Sequence, residues 1–141
     1  MNVRPALMSV LCVSAFLAAA TPATADDNRF AVATITNRTG DVTMRTLEYR
    51  WGENGQWRRV EKDFRPGRSE YFWAELDGNG NAPQLYVRFN EAIGGVIRFD
   101  REYKLKTNAA PDKLAKFGHQ YEFRRDTNDR DYVSFYDDQA N

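Results

Sequence analysis

The sequence predicts an all-β protein, a single antiparallel β-sandwich of immunoglobulin-like or jelly-roll type with about eight or nine short strands. Three observations lead there. Apolar and polar residues alternate with period two in many short runs, turn-forming residues recur about every 8–12 positions, and no long stretch carries apolar residues at helical spacing. An up-and-down β-barrel with an internal cavity is the alternative.

The strands follow in order. Phe30 to Thr36 is rich in β-branched residues and ends in Asn37-Arg38-Thr39-Gly40, a turn by composition. Val42, Met44 and Thr46 then alternate in one phase and Leu47, Tyr49 and Trp51 in the other. A phase flip near Thr46 marks a bulge or a strand that changes sheet, and it favours the sandwich over the barrel. Gly52-Glu53-Asn54-Gly55 reads as a hairpin turn with Asn-Gly at its centre. Trp57 to Lys62 is the third strand, closed by Pro66-Gly67, and Glu70 to Leu76 the fourth. After the glycine-rich loop 77–83, Leu85 to Phe89 alternates most clearly. Val96 to Asp100, Tyr103 with Leu105, Tyr121 with Phe123, and Tyr132 to Tyr136 complete the set. Asp112 to Phe117 has the composition of one helical turn or a loop. No repeat or long linker divides the chain, so one domain is expected.

The N-terminus has a different character. Met1 to Arg4 carries one side-chain charge, Ala6 to Ala20 is apolar apart from two serines, and Pro22 precedes the small residues Ala23-Thr24-Ala25. This is the layout of a secretory signal peptide over residues 1–25, removed to leave 26–141. The apolar run is shorter than the roughly 18 residues that span a bilayer. Leu11 before Cys12 does not suit a lipoprotein site. The expected location is periplasmic or extracellular, with no membrane span.

Of 141 residues, 116 then remain, with 19 basic and 20 acidic side chains and no cysteine. That balance argues against a nucleic-acid partner. Loss of Cys12 excludes disulfides, thiol nucleophiles and cysteine-bound metals. The mature chain has 15 Val, Ile, Leu and Met against 18 aromatic residues, so most of the large rings are expected inside.

The chemistry-bearing residues are sparse. The one histidine, His119, would need a nucleophile and an orienting acid to catalyse, and Ser69 and Ser134 are the mature serines. Neither serine sits in a nucleophile-elbow pattern. Carboxylate-dependent hydrolysis lacks a motif, and with 14 mature arginines most acids are expected in surface ion pairs. Asp77, Asn79 and Asn81 place oxygen side chains at alternate positions, a weak calcium candidate, but Ala82 and Arg88 stand where a calcium loop needs glycine and glutamate. Asp126 to Asp131 is a second acidic turn, offset by Arg125 and Arg130. No cofactor is expected.

The tryptophans give the clearest lead toward binding. Trp51 and Trp57 flank the hairpin and are expected to approach each other, Trp73 shares a face with Tyr71, and Arg50 stands ready to frame a polar group. Some of these rings must also serve the core. The expected function is an exported, non-enzymatic domain that binds an envelope or extracellular partner, protein or glycan. A small-ligand carrier and a carboxylate hydrolase are the alternatives.

Overall fold

The computed structural model describes residues 27–60, 62–94 and 96–139. The proposed signal segment 1–25, with Cys12, lies outside them. The described chain is nearly all β: β1 (Phe30–Asn37), β2 (Glu48–Trp51), β3 (Arg58–Arg59), β4 (Ser69–Glu75), β5 (Leu85–Arg88), β6 (Tyr103–Leu105), β7 (Asn108–Ala110), β8 (His119–Arg125) and β9 (Val133–Asp137). These form two sheets and do not close into a barrel. One runs β4-β1-β8-β9 with β7 also on β1, and the other runs β3-β2-β5-β6.

β1 organises the first sheet. One edge pairs with β4 over seven residues, and the other is shared by β7, antiparallel at Phe30–Val32, and β8, parallel at Ala33–Asn37. The parallel pair departs from the all-antiparallel expectation. Its tight approach needs Gly118, where an added Cβ would lie 2.4 Å from Thr34 Oγ1 and 2.9 Å from the Ala33 carbonyl carbon. A 3-10 turn at Ala115–Phe117 leads into that glycine, and the Ala115 carbonyl accepts the Thr34 hydroxyl at 2.6 Å.

The core between the sheets joins a connected set of aromatic rings to aliphatic residues such as Ile35, Leu47, Leu85 and Val87. Phe64, Phe89 and Phe123 are fully buried, and Phe135 stacks on Tyr121 with centroids 5.2 Å apart. Phe89 meets Phe123 at 4.7 Å and Tyr103 at 5.4 Å. The phase flip near Thr46 is a bulge: Met44 bridges Phe64, whereas Glu48, four residues on, pairs with Arg59, five residues back, so the register slips by one. Asn37 closes the end of β1, its amide donating to the Val42 and Phe64 carbonyls at 2.8 Å each.

Three local expectations change. The third strand shrinks to Arg58–Arg59. The 96–100 segment forms no strand among its described residues, and Val96 is 78% exposed. In the hairpin turn Gly52, not Asn54, takes the left-handed conformation, at φ 76°. The turn therefore follows β2 at once and β3 starts late.

Candidate functional site

The short β3 leaves the sandwich open along one side. β4 ends the first sheet and β3 the second, and between them runs a groove of about 800 Å³. Tyr49 and Trp51 of β2 form one wall. Glu70 to Trp73 of β4 form the other, and Arg58, Arg59, Val60 and Lys62 line the upper rim. Alternation explains the walls. On β2, Tyr49 and Trp51 turn toward the core and pack against it, while Glu48 and Arg50 turn outward. On β4, Phe72 pairs with inward-facing Ala33 and is buried, while Tyr71 and Trp73 are 47% and 39% exposed. A smaller cleft of about 310 Å³ continues toward the hairpin, shares Tyr49, Trp51 and Arg58 with the groove, and adds Arg50, Gly55 and Gln56.

The rim is cationic. Among the described residues Arg58 and Lys62 carry no ion pair, and Glu70 is the one acid in the lining. Arg59 instead donates to Glu48 at 3.1 Å, a carboxylate also gripped by Arg88 at 2.7 Å.

The predicted binding residues divide among three places. Trp51 is in the groove wall. Tyr71 and Trp73 share the outer face of β4, as expected, where the edge strand also borders the groove. Trp73 is not a bare platform, because the Lys113 ammonium lies 3.7 Å from its ring centroid and Phe30 meets it edge-on. Trp57 and Arg50 sit on the outer face of the second sheet. Trp57 stacks with the guanidinium groups of Arg50 at 4.8 Å and Arg88 at 4.1 Å, and Arg50 also covers Tyr86 at 4.7 Å. Glu102 holds Arg50 at 3.0 Å. Trp51 and Trp57 therefore face opposite sides of their sheet rather than each other. Sequence reasoning missed Tyr49 and Lys62 as site residues. Their spacing around the hairpin was visible, but that β4 lies opposite them is set by topology alone.

Comparison with family models, with curated proteins and with solved structures finds no match for this chain.

The other chemical candidates have partners of their own. His119 Nε2 lies 2.7 Å from Asp137 Oδ1, with its ring against Tyr121. Burial disfavours the Asp137 carboxylate, but the His119 hydrogen bond, the Gln139 N–H and the nearby His119 and Lys106 charges outweigh it and hold its pKa below the ordinary value. Burial, followed by the Asp137 charge, pushes Tyr121 up to about 12 against the lowering contribution of the Lys106 backbone hydrogen bond. Ser69 exchanges a 2.8 Å hydrogen bond with Thr36, and Ser134 donates to Asp126. No hydrogen bond joins His119 to either serine among the described residues.

The two acidic turns use their carboxylates on their own backbone. Asp77 Oδ1 accepts the N–H groups of Asn79 and Asn81, each at 2.9 Å. Asp126 Oδ1 accepts those of Asn128 and Asp129, and the Ser134 hydroxyl with these N–H groups lowers its pKa. Such turns need no ion. No group of three or more His, Cys, Asp or Glu suited to a metal occurs among the described residues, and no described helix is long and apolar enough to cross a membrane.

Proposed function

We propose that this chain is an exported, non-enzymatic binding domain, and that it holds an envelope or extracellular partner in the groove between β4 and the β2–β3 hairpin. The observation that carries this reading is an aromatic wall beneath a cationic rim, Tyr49 and Trp51 below Arg58 and Lys62, which have no ion pair among the described residues. Wide grooves that combine apolar walls with a few convergent polar groups are the usual form of a binding site. The tripartite N-terminus supports export. The separate partners of His119, Ser69 and Ser134 support a non-enzymatic role. Glycan binding is a second reading, favoured by Tyr71 and Trp73 on one exposed face.

Two experiments test the proposal. Expression of the full chain in a bacterium, with fractionation and N-terminal sequencing, should yield exported protein starting at Asp26; retention of the intact chain in the cytoplasm would refute export. Melting of the recovered protein should then be followed with an acidic peptide, polygalacturonate, neutral oligosaccharides and calcium. A groove ligand at 100 times its dissociation constant adds about 2.7 kcal/mol of stability. Stabilisation by an anionic ligand, abolished in Arg58→Glu/Lys62→Glu, is expected. Stabilisation by neutral sugars alone, lost in Tyr71→Ala, would move the site to the outer face of β4. No stabilisation by any of these, or hydrolysis of them by the pure protein, would overturn the reading.

A further inference from the structure

We infer that the groove's occupant is an extended acidic polypeptide, which adds as a further strand along the free edge of β4. This rests on the groove reading above and deepens it.

β4 keeps unbroken register with β1 from Phe30↔Glu75 to Thr36↔Ser69, and among the described residues it pairs with no other strand. Every second N–H and C=O along its far side therefore points away from the sheet. Protein edges of this kind are normally blunted by brevity, lysine, proline, a bulge or a covering loop. The other edges here obey that rule. β3 is two arginines long, and β6 is three residues. The start of β9 is covered by the 91–93 loop, where the Val133 N–H donates to the Glu91 carbonyl at 2.8 Å. β4 is seven residues long, without lysine, proline or a bulge, and its charged residues are Glu70 and Glu75 near its two ends. Its centre is Tyr71-Phe72-Trp73, a segment prone to pairing unless a partner strand is intended.

A strand laid along β4 has alternate side chains on opposite faces. One set falls on the groove side beside Glu70 and Phe72, facing Tyr49 and Trp51 beneath the Arg58 and Lys62 rim. The other falls beside Tyr71 and Trp73. One pose thus uses the open backbone edge, the groove and the exposed rings together.

Arg58 and Lys62, without an ion pair among the described residues, ask for carboxylates on the groove-facing positions. They also argue against a second copy of this chain. Antiparallel pairing of two β4 edges about a two-fold axis perpendicular to the sheet places both second sheets on the same side, so the two cationic rims would face each other.

The test uses the purified protein and a nine-residue peptide alternating glutamate with valine, titrated by calorimetry. Saturable one-to-one binding is expected, weakened at least tenfold by N-methylation of alternate peptide nitrogens, which removes the N–H groups that pair with β4. A tenfold loss is also expected for Arg58→Glu/Lys62→Glu, whose exposed positions leave the fold intact. Equal binding of the N-methylated peptide, or of a lysine–valine peptide, would overturn the proposal. So would a dimer in sedimentation that excludes the peptide, which would make a second copy the occupant. Binding of polygalacturonate with no binding of the peptide would overturn strand addition and leave the groove reading standing. Failure of both ligands would overturn both.

Discussion

Tyr49 of β2 and Phe72 of β4 join the two sheets at the floor of the groove, their ring centroids 5.0 Å apart and their planes tilted by 54°. The sheets close over this contact, and beyond it they part because β3 is too short to reach β4. The pair thus both seals the core and sets the depth of the site.

Phe72→Ala should be among the most damaging single changes in the protein. Phe72 is 5% exposed, and truncating a buried phenylalanine costs about 3–5 kcal/mol in lost burial and residual cavity. For a domain of this size the melting temperature should fall by roughly 10–20 °C. A calorimetric scan checks this, and a drop of only a degree or two would show that Phe72 does not hold the sheets together.

Asn37 is fully buried, yet all four of its side-chain hydrogen-bonding positions are used. Its amide donates to Val42 and Phe64, and its Oδ1 accepts the Thr39 N–H at 3.1 Å and the Thr39 hydroxyl at 2.7 Å. Asn37→Asp keeps the shape but turns a second oxygen toward two carbonyls. Leaving such groups unpaired costs about 1–3 kcal/mol each, so urea denaturation should show a lower midpoint with little change in slope. A wild-type midpoint would mean that the turn can relax away from Asn37.

Gly118→Ala tests the parallel β1–β8 pair. The new methyl meets Thr34 Oγ1 and the β1 backbone, and a backbone contact of this kind cannot yield as a side-chain tip can. Overpacking costs typically about 1–3 kcal/mol. Hydrogen exchange should speed up at Thr34 and Gln120 before it does in the second sheet. Uniform exchange across both sheets would point to a global rather than a local effect.

The Asp137 carboxylate gives a pH signature. Its folded pKa lies below the ordinary aspartate value of about 3.9, so its contribution to stability is present above that value and disappears as pH falls through the lowered folded pKa. Wild-type protein should therefore melt above Asp137→Asn at pH 7, with the gap closing below about pH 4. A gap that persists unchanged to pH 2 would show that the charge of Asp137 is not its source.

Much of this fold was legible in the sequence, because alternation directly reports which face a strand buries. Leu85, Val87 and Phe89 are buried as their spacing required, and the flip at Thr46 marked a one-residue slip between the Met44–Phe64 bridge and the Glu48–Arg59 pair. What stayed hidden depends on partners distant in the chain. β7 is Asn-Ala-Ala, residues with little strand preference, and it is extended because β1 offers it an edge. Val96 to Asp100 alternates in sequence but has no such edge; Phe99 is held under the Arg88 guanidinium instead. The site was half visible. Trp51, Tyr71 and Trp73 stood out as rings that a binding face could use, while Trp57 and Arg50 proved to be stacked on each other outside the groove. The cationic rim emerged only once β4 was placed opposite the hairpin.

The central claim is that the open seam beside β4 is where this domain binds. It is tested most directly by recording backbone amide NMR spectra of the purified protein during titration with the glutamate–valine peptide. The account predicts shifts concentrated at residues 49–51, 58–62 and 69–75, with slowed exchange of the β4 amides that point away from β1. Shifts centred elsewhere, for example on the exposed Val96 and Ile97, or a spectrum that does not change at saturating peptide, would contradict it.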